Sequence, residues 1–197
     1  MSFADKQAIA ELLQSWGHCR DQGRWAELLA TFSPEGEIAV SWFRGSFATF
    51  VARCQQAFAA GNRSKHLIWP PVVRLNGARA VAESNIAILV RQSIDGVLVD
   101  LTSHGRFVDR LERRDRWMIV ERAAIYEQDR LDPVQPSEAF ATMMKNADVE
   151  RFPAAYRYMA FRVLAAGRSL ASPIYCDGMP ETAALYDRYA AWLNDGR

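Results

Sequence analysis

The chain has 197 residues, of which 50% are hydrophobic and 24% charged, and its formal net charge is +1 at pH 7. This size and composition predict a globular protein with one core-forming domain and an appendage. A charge so close to neutral argues against the electrostatic footprint of a nucleic-acid-binding or membrane-surface protein.

The chain carries none of the usual signals for a membrane or an oxidising compartment. No apolar run reaches the roughly 18 residues that a membrane-spanning helix needs. The N-terminus lacks the basic region and apolar run of a secretory signal. Cys19, Cys54 and Cys176 are widely spaced and form no C-x-x-C pair, which fits a reducing compartment. We therefore expect a cytoplasmic protein without membrane or nucleic-acid partners.

Helical signals dominate the first third of the chain. Asp5 and Ser46 are suitable N-caps, and each precedes apolar residues that recur at helical spacing. A strand with alternating polarity separates the second and third helices. We expect helices over residues 6–20, 25–31 and 47–60, a turn at 33–36 and a strand over residues 37–42.

Four strands are predicted next, joined by short turns. Asn76-Gly77 and Asp95-Gly96 are strong hairpin dipeptides. The strands are expected over residues 66–75, 79–92, 97–113 and 117–126. Strands of this length linked by hairpins form a curved antiparallel sheet, and three helices must cover one of its faces, so the fold class is α+β. Pro70-Pro71 predicts a bulge or an edge position in the first of these strands.

The last part of the chain, residues 134–197, has the pattern of further helices. We interpret it as a helical extension that packs on the body or on a second subunit, and residues 1–133 as the main domain. One face of the sheet is expected to carry helices and the other Val, Ile and Leu. This second face predicts a homo-oligomer, with a dimer favoured.

The order of these elements and three motifs resemble the SnoaL-like, or nuclear transport factor 2-like, superfamily over residues 5–133. The motifs are the segments 21–25 (DQGRW), 65–67 (KHL) and 105–117 (GRFVDRLERRDRW). The resemblance implies a cystatin-like cone, that is, a curved sheet wrapped round three N-terminal helices. It is greatest to the branch with scytalone dehydratase, hexachlorocyclohexane dehydrochlorinase and bile-acid dehydratase. In that branch a strand histidine takes a proton and an aspartate orients it, positions that correspond to His66 and Asp21.

His66 and Asp21 form the candidate catalytic pair. The unperturbed pKa of histidine lies close to neutrality, and a carboxylate that accepts its Nδ1–H selects one tautomer. No metal motif, phosphate-binding glycine loop or dinucleotide fingerprint is visible, so we expect neither a cofactor nor a metal. The resemblance then implies a lyase or isomerase that acts on a small, apolar, cyclic substrate. Candidate substrate-binding residues are Trp42, Phe43, Asn85, His104, Arg106 and Tyr126, with Trp16, Phe50, Phe58 and Trp69 as further candidate walls.

Each functional interpretation has a structural alternative. His66 could be a core histidine bonded to a backbone carbonyl, and Asp21 could cap the second helix. His104 could be a half-exposed strand residue, and Arg106 could pair with a surface carboxylate. The whole domain could also be a non-catalytic ligand-binding or assembly module, because one fold hosts many functions.

Overall fold

The computed structural model describes residues 2–195, which form six helices and eight strands. The helices are α1 (Phe3–Gln22), α2 (Trp25–Leu29), α3 (Phe47–Ala59), α4 (Glu138–Asn146), α5 (Arg157–Ala165) and α6 (Pro180–Asn194). The strands are β1 (Phe32–Val40), β2 (Phe43–Ser46), β3 (Lys65–Ile68), β4 (Val72–Asn76), β5 (Arg79–Ile94), β6 (Val97–Arg113), β7 (Trp117–Pro133) and β8 (Tyr175–Cys176). None of the helices within residues 2–195 has the length and hydrophobicity to cross a membrane.

The strands form one sheet in the order β2-β1-β7-β6-β5-β3, while β4 also pairs with β5 and β8 with β7. The predicted α+β class is confirmed. The long strands β5, β6 and β7 are antiparallel neighbours, as their hairpin turns predict. In contrast, β1 and β8 both run parallel to β7. The sheet is therefore mixed rather than purely antiparallel, because β1 and β7 are not joined by a hairpin that would force opposite directions.

The residues between α2 and α3 form two strands where the sequence predicts one. β1 begins at Phe32 and includes the predicted turn at 33–36, and its register with β7 shifts between Phe32 and Glu37. β2 then returns antiparallel to β1. The helix α3 follows directly, and the Ser46 hydroxyl accepts a hydrogen bond from the Thr49 N–H at 3.3 Å. The predicted cap at Ser46 is thus present.

The first helix begins at Phe3, so Asp5 lies inside its first turn and not at its N-cap. The Asp5 carboxylate accepts hydrogen bonds from the Arg113 guanidinium at 2.8 Å and from the Trp117 indole at 2.9 Å. Asp5 therefore ties α1 to the hairpin between β6 and β7.

Pro70 and Pro71 interrupt the strand at the edge of the sheet. β3 ends at Ile68 and β4 begins at Val72, and both strands pair with β5. Because proline has no N–H to donate, the ladder stops at the two prolines and resumes beyond them. The irregularity lies where the sequence predicts it.

A β-bulge in β7 bends the sheet near its centre. The pairing register shifts between His104 and Gly105, and Glu127 is the extra residue on β7. A Cβ at position 105 would lie 2.1 Å from the Ile125 carbonyl oxygen, so only glycine allows the two strands to approach this closely. The bulge immediately follows Tyr126, which is buried against the helices.

Helices cover both faces of the sheet. The inner face packs on α1, α3 and α5 in one large cluster, which includes Trp16, Phe50, Phe107, Tyr126 and Met159. The outer face packs on α6 in a second cluster, which includes Val81, Val108, Ile125, Leu185 and Tyr189. The C-terminal extension, residues 134–195 of the described structure, therefore contributes to both sides of the fold.

This arrangement changes the basis of the predicted dimer. The apolar outer face was the reason to expect a second subunit, yet Val81, Val108 and Ile125 are buried by α6 of the same chain. Polar contacts hold the helix there, since the Tyr186 hydroxyl donates to Glu83 at 2.5 Å and Arg188 pairs with Glu121. The dimer stays a prediction, and the outer face no longer favours it.

Candidate active site

Asp21 and His66 meet where the end of α1 passes the start of β3. The helix ends at Gly23, whose φ of 70° gives the left-handed C-cap that places Asp21 in the last turn. The His66 Nδ1 lies 2.6 Å from Asp21 Oδ1, and the His66 backbone N–H donates to Asp21 Oδ2 at 2.7 Å. The Asp21 side chain is 2% exposed and the His66 side chain 11%. Two bonds to one carboxylate fix both the backbone and the ring of His66.

The alternatives for these two residues find less support in the geometry. Asp21 does not cap α2, because the N-cap of that helix is Arg24 and it has no side-chain cap. The His66 ring bonds a carboxylate and not a backbone carbonyl. With Nδ1–H donated to Asp21, the neutral ring presents the lone pair of Nε2. Nε2 has no hydrogen-bond partner among residues 2–195.

The His66 ring is largely buried and makes an edge contact with Trp16, with ring centroids 5.5 Å apart. Burial lowers the pKa of His66 below its ordinary value of 6.5. The Asp21 carboxylate opposes this shift, and the charges of Arg20 and Arg122 add to it. The imidazole is therefore neutral, and able to accept a proton, at neutral pH.

The ring faces a cavity of about 70 Å³ between the inner face of the sheet and the helices. Its aromatic walls are Trp16, Trp42, Phe50, Phe107 and Tyr126. Its charged walls are the side chains of Arg20, Arg63, Arg162 and Arg168, beside His66. This volume is large enough for only a few water molecules and is well below the ~300–1,000 Å³ of a typical ligand site. A second depression beside His66, of about 1060 Å³, is an open groove between α1 and residues 65–70.

Two of the six predicted substrate-binding residues line the cavity. Trp42 stacks on Phe50 with ring centroids 5.4 Å apart. The Tyr126 hydroxyl accepts a hydrogen bond from the Ser41 N–H at 2.8 Å, and burial raises the pKa of Tyr126 to about 12. Phe43 lies behind these residues in the buried core. Tyr126 is therefore a neutral wall at physiological pH and not an acid in its own right.

The other three predicted residues, Asn85, His104 and Arg106, lie on the outer face of the sheet. Asn85 and His104 are exposed. Arg106 forms ion pairs with Glu83, Glu127 and Asp177 at 3.0, 2.7 and 2.6 Å. The structure thus corrects their assignment to the substrate site, because residues of alternating phase on β5 and β6 point to opposite faces. Phe107 and Leu111 set the inner phase of β6, so the sequence itself contains this signal.

Two further candidate walls, Trp69 and Phe58, lie outside the cavity. Trp69 is 46% exposed and lines the open groove beside α1, as does the exposed His18. Phe58 packs on Trp25 outside the cavity, with ring centroids 5.4 Å apart.

Residues that the sequence interpretation missed complete the site. Arg20 precedes Asp21, and Arg162 and Arg168 come from the C-terminal extension. A signal for Arg162 exists, because Met159 and Val163 place it beside the apolar stripe of α5, where a charge is unusual. The Nε–H of Arg162 donates to Gln92 Oε1 at 2.9 Å. Burial lowers the pKa of Arg162 to about 10, and the charge of Arg168 contributes to the shift.

A buried ion pair supports the wall behind His66. Arg122 and Asp109 are fully buried and form two hydrogen bonds, of 2.7 and 3.0 Å. The guanidinium carbon of Arg122 lies 4.5 Å from the centroid of the Trp16 ring and 4.3 Å from that of Phe107. The ion pair therefore positions two of the aromatic walls.

Metal-ligating side chains do not cluster around His66 in the part of the chain that the structure describes. Within residues 2–195, no group of three or more His, Cys, Asp or Glu side chains is arranged to hold a metal ion. Asp21 is the carboxylate in contact with His66, and it is already bonded by the ring and backbone of that residue.

The pKa of His66 predicts how stability depends on pH. Unfolded His66 takes up a proton near pH 6.5, whereas folded His66 does so only at lower pH. The unfolded state therefore binds more protons below about pH 6.5, and the free energy of unfolding falls as the pH decreases through this range. His66→Gln should therefore lose less of its free energy of unfolding between pH 7 and pH 5 than the wild type, as measured by urea denaturation at both pH values. His18→Gln, at an exposed position on α1, is the control, and equal losses in wild type and His66→Gln would contradict the prediction.

Comparison with known proteins decides the family. The SnoaL-like domain family matches residues 1–123, which is more than half of the chain. The chain belongs to the SnoaL-like family. The match ends inside β7, so α4, α5 and α6 of this SnoaL-like protein lie beyond it.

Individual relatives are distant. A PEP2-like protein of Fusarium vanettenii is 26% identical over 164 residues, which cover 80% of this SnoaL-like chain and 68% of that protein. The structure of a candidate scytalone dehydratase from Novosphingobium aromaticivorans superposes with a TM-score of 0.56 at 14% identity, over 68% of this chain and 96% of that one. A Mycobacterium tuberculosis protein of unknown function gives a TM-score of 0.54 at 16% identity, with coverages of 84% and 96%. At these identities the two structures share the fold alone.

Proposed function

We propose that this SnoaL-like protein is a cofactor-independent lyase or isomerase, with His66 as the base and Asp21 as its orienting residue. One observation carries the proposal: His66 lines a cavity while a buried carboxylate holds its Nδ1 at 2.6 Å, and its Nε2 has no hydrogen-bond partner among residues 2–195. A structural histidine would not need to leave a nitrogen free beside a cavity. The similarity to a candidate scytalone dehydratase is consistent with the proposal.

The chemistry follows from the positions of the two residues. Nε2 of His66 takes a proton from a substrate carbon, and the imidazolium that forms is stabilised by the Asp21 carboxylate. In a dehydration, the electrons of the C–H bond form a C=C bond as the C–O bond breaks, and the departing hydroxide takes the proton from the imidazolium to leave as water. In an isomerisation the same proton returns to another carbon. Both routes use one base and consume no cofactor.

The substrate must displace part of the wall, because about 70 Å³ does not hold a ring. Met159 and the two arginines of the C-terminal extension close the cavity on one side, and a methionine side chain adapts readily. An open groove of about 460 Å³ adjoins the cavity and shares Trp42, Ala57, Asn62 and Arg168 with it. We infer that the substrate lies across this shared wall.

The second candidate is a non-catalytic module that binds a small ligand in the same cavity. The small volume and the arginines in its wall favour binding at least as much as catalysis. The two candidates differ in one property, since only the enzyme transfers a proton between a ligand carbon and His66.

Solvent exchange distinguishes the candidates. The protein is incubated in D₂O with a panel of cyclic β-hydroxy ketones and cyclic β-hydroxy carboxylates, and the ligands are followed by proton NMR. We expect deuterium to enter next to the carbonyl group, or water to be lost, with wild type and not with His66→Gln. Line broadening of a bound compound without exchange would instead support the binding module.

A further inference from the structure

The walls of the cavity that His66 lines carry several positively charged side chains and no carboxylate. The chain as a whole is balanced, with 24 Lys and Arg residues against 23 Asp and Glu residues. The cavity and the adjoining groove are nevertheless lined by five arginines and by no aspartate or glutamate. The five are Arg20, Arg53, Arg63, Arg162 and Arg168. Positive charge is therefore concentrated around the cavity and the adjoining groove, where the substrate is proposed to bind.

None of these five arginines has a carboxylate partner, whereas most arginines elsewhere in the described residues have one. Arg91 pairs with Asp100 at 2.6 Å and Arg122 with Asp109 at 2.7 Å. Arg20, Arg162 and Arg168, in contrast, have no carboxylate of residues 2–195 within 4.0 Å.

Each of these three guanidinium groups lies instead beside uncharged side chains. Arg162 donates to the Gln92 amide, and the guanidinium carbon of Arg168 lies 4.8 Å from the centroid of the Trp42 ring. Burial raises the pKa of the Cys54 thiol, and the charge of the nearby Arg20 opposes this shift. The three positive charges are held in place but not neutralised.

These charges also act on one another. Burial lowers the pKa of Arg162, and the charges of Arg168 and Arg20 lower it further, so both lie close enough to Arg162 to repel it. At a pKa of about 10 the Arg162 guanidinium still carries its charge at neutral pH. An anion in the cavity would relieve this repulsion and form charge-assisted hydrogen bonds, which are about twice as strong as neutral ones.

The size of the cavity fits a charged group better than a ring. A volume of about 70 Å³ accommodates a few water molecules, or a carboxylate or phosphate group in their place. The body of the ligand can lie in the adjoining groove of about 460 Å³, which is in the range of ligand sites. The stacked pair of Arg168 and Trp42 forms the wall that both spaces share.

We propose that this cavity binds the anionic group of the ligand, a carboxylate or a phosphate, through Arg20, Arg162 and Arg168. The proposal rests on the proposed function only in identifying that ligand with the substrate of His66. It also gives the C-terminal extension a role, because Arg162 and Arg168 lie beyond the residues that match the family.

The sheet itself fixes the position of α5, which carries Arg162. Asp129 of β7 accepts a hydrogen bond from the Met159 N–H in the first turn of α5 at 2.7 Å. A carboxylate at this end of a helix satisfies a free N–H group and interacts favourably with the helix dipole. The extension thus places Arg162 over the cavity with a defined orientation.

Binding of three matched probes tests the proposal. Benzoate, phenyl phosphate and the neutral benzamide are titrated into the protein, and tryptophan fluorescence or calorimetry gives each Kd. We expect benzoate or phenyl phosphate to bind at least about tenfold more tightly than benzamide, the smallest effect expected for a charge-assisted bond. The tighter of the two anions identifies the group for which the cavity is suited. Anions that bind no more tightly than benzamide would overturn the proposal.

Substitutions assign the effect to the cavity. Arg162→Met and Arg168→Met should each weaken binding of the tighter anion about tenfold or more and leave benzamide unchanged. Arg91→Met removes an exposed arginine that is paired with Asp100 and is the matched control. Arg162 and Arg168 are both partly buried, but Arg168 lies in the loop after α5, so Arg168→Met should fold even if Arg162→Met does not. Anion binding that is equal in wild type and Arg168→Met would contradict the assignment.

The same titration separates this proposal from the catalytic one. His66→Gln should keep its preference for the anion, because the glutamine leaves all three arginines in place. If His66→Gln binds the anion and no compound undergoes exchange in D₂O, the anion site stands and the catalytic proposal fails. If exchange depends on His66 but the anions bind no more tightly than benzamide, the catalytic proposal stands and the anion site fails.

Discussion

His66→Gln is expected to lower kcat/KM for the reaction found by solvent exchange about 10²- to 10⁴-fold, the usual contribution of a positioned general base. Glutamine is similar in size and can still donate to Asp21, but it cannot take a proton. The Nε2 lone pair of His66 is the group that the substitution removes. Steady-state kinetics measures the loss, and circular dichroism together with urea denaturation confirms that the variant is folded.

Asp21→Asn provides the companion variant. The Asp21 carboxylate accepts from both the ring and the backbone N–H of His66. An amide at this position cannot stabilise an imidazolium by charge, so kcat/KM should also fall, with a smaller loss than in His66→Gln. The control is His18→Gln, at an exposed position of the same helix. Retention of more than half of the wild-type activity by His66→Gln would eliminate the base role.

Arg122→Met is expected to reduce the free energy of unfolding by about 3–5 kcal/mol, the largest effect on stability predicted for this protein. Arg122 and Asp109 are both 0% exposed, and the substitution leaves the carboxylate buried without its counter-charge. It also removes the guanidinium that lies on the rings of Trp16 and Phe107. Urea denaturation at pH 7 measures the change.

A double variant separates the ion pair from the volume it fills. Asp109→Leu combined with Arg122→Met removes both charges, and an ion pair replaced as a whole by apolar residues commonly costs little. We expect the double variant to be more stable than Arg122→Met alone.

Burial also raises the pKa of Asp109, while Arg122 lowers it. Loss of Arg122 therefore favours the protonated acid, so Arg122→Met should lose less stability at pH 5 than at pH 7. A single variant as stable as wild type would show that the pair is dispensable.

The local features of the fold are the ones that the sequence predicts well. Hairpin dipeptides, the Ser46 cap and the proline pair act over a few residues, and their physical effects depend little on the rest of the chain. Because the two short motifs that contain them resemble motifs of a known family, the sequence also predicts that His66 and Asp21 form a pair. Their separation of 2.6 Å is a property of the folded chain.

The predicted substrate-binding residues lie on both sides of the sheet. Trp42 and Tyr126 line the cavity, whereas His104 and Arg106 point away from it. Successive side chains of β6 point to opposite faces of the sheet. Residue type alone therefore does not predict which of them line the cavity. The direction of β1 and the helix that covers the outer face depend on contacts between residues distant in sequence. No local sequence pattern predicts these contacts.

Sequence by itself determined the α+β class, the hairpin order of the long strands and the candidate pair His66 and Asp21. The fold class and the strand order follow from periodicity and turn chemistry, and the pair follows from the resemblance of short motifs to a known family; all of these signals are local. Tertiary structure decided that α6 covers the outer face, and that Arg162 and Arg168 join Arg20 around the cavity. The physical reason is that packing of the C-terminal extension brings together residues more than 140 positions apart, as is the case for Arg20 and Arg162. Composition records a balanced charge, and only the folded chain shows where that charge is concentrated.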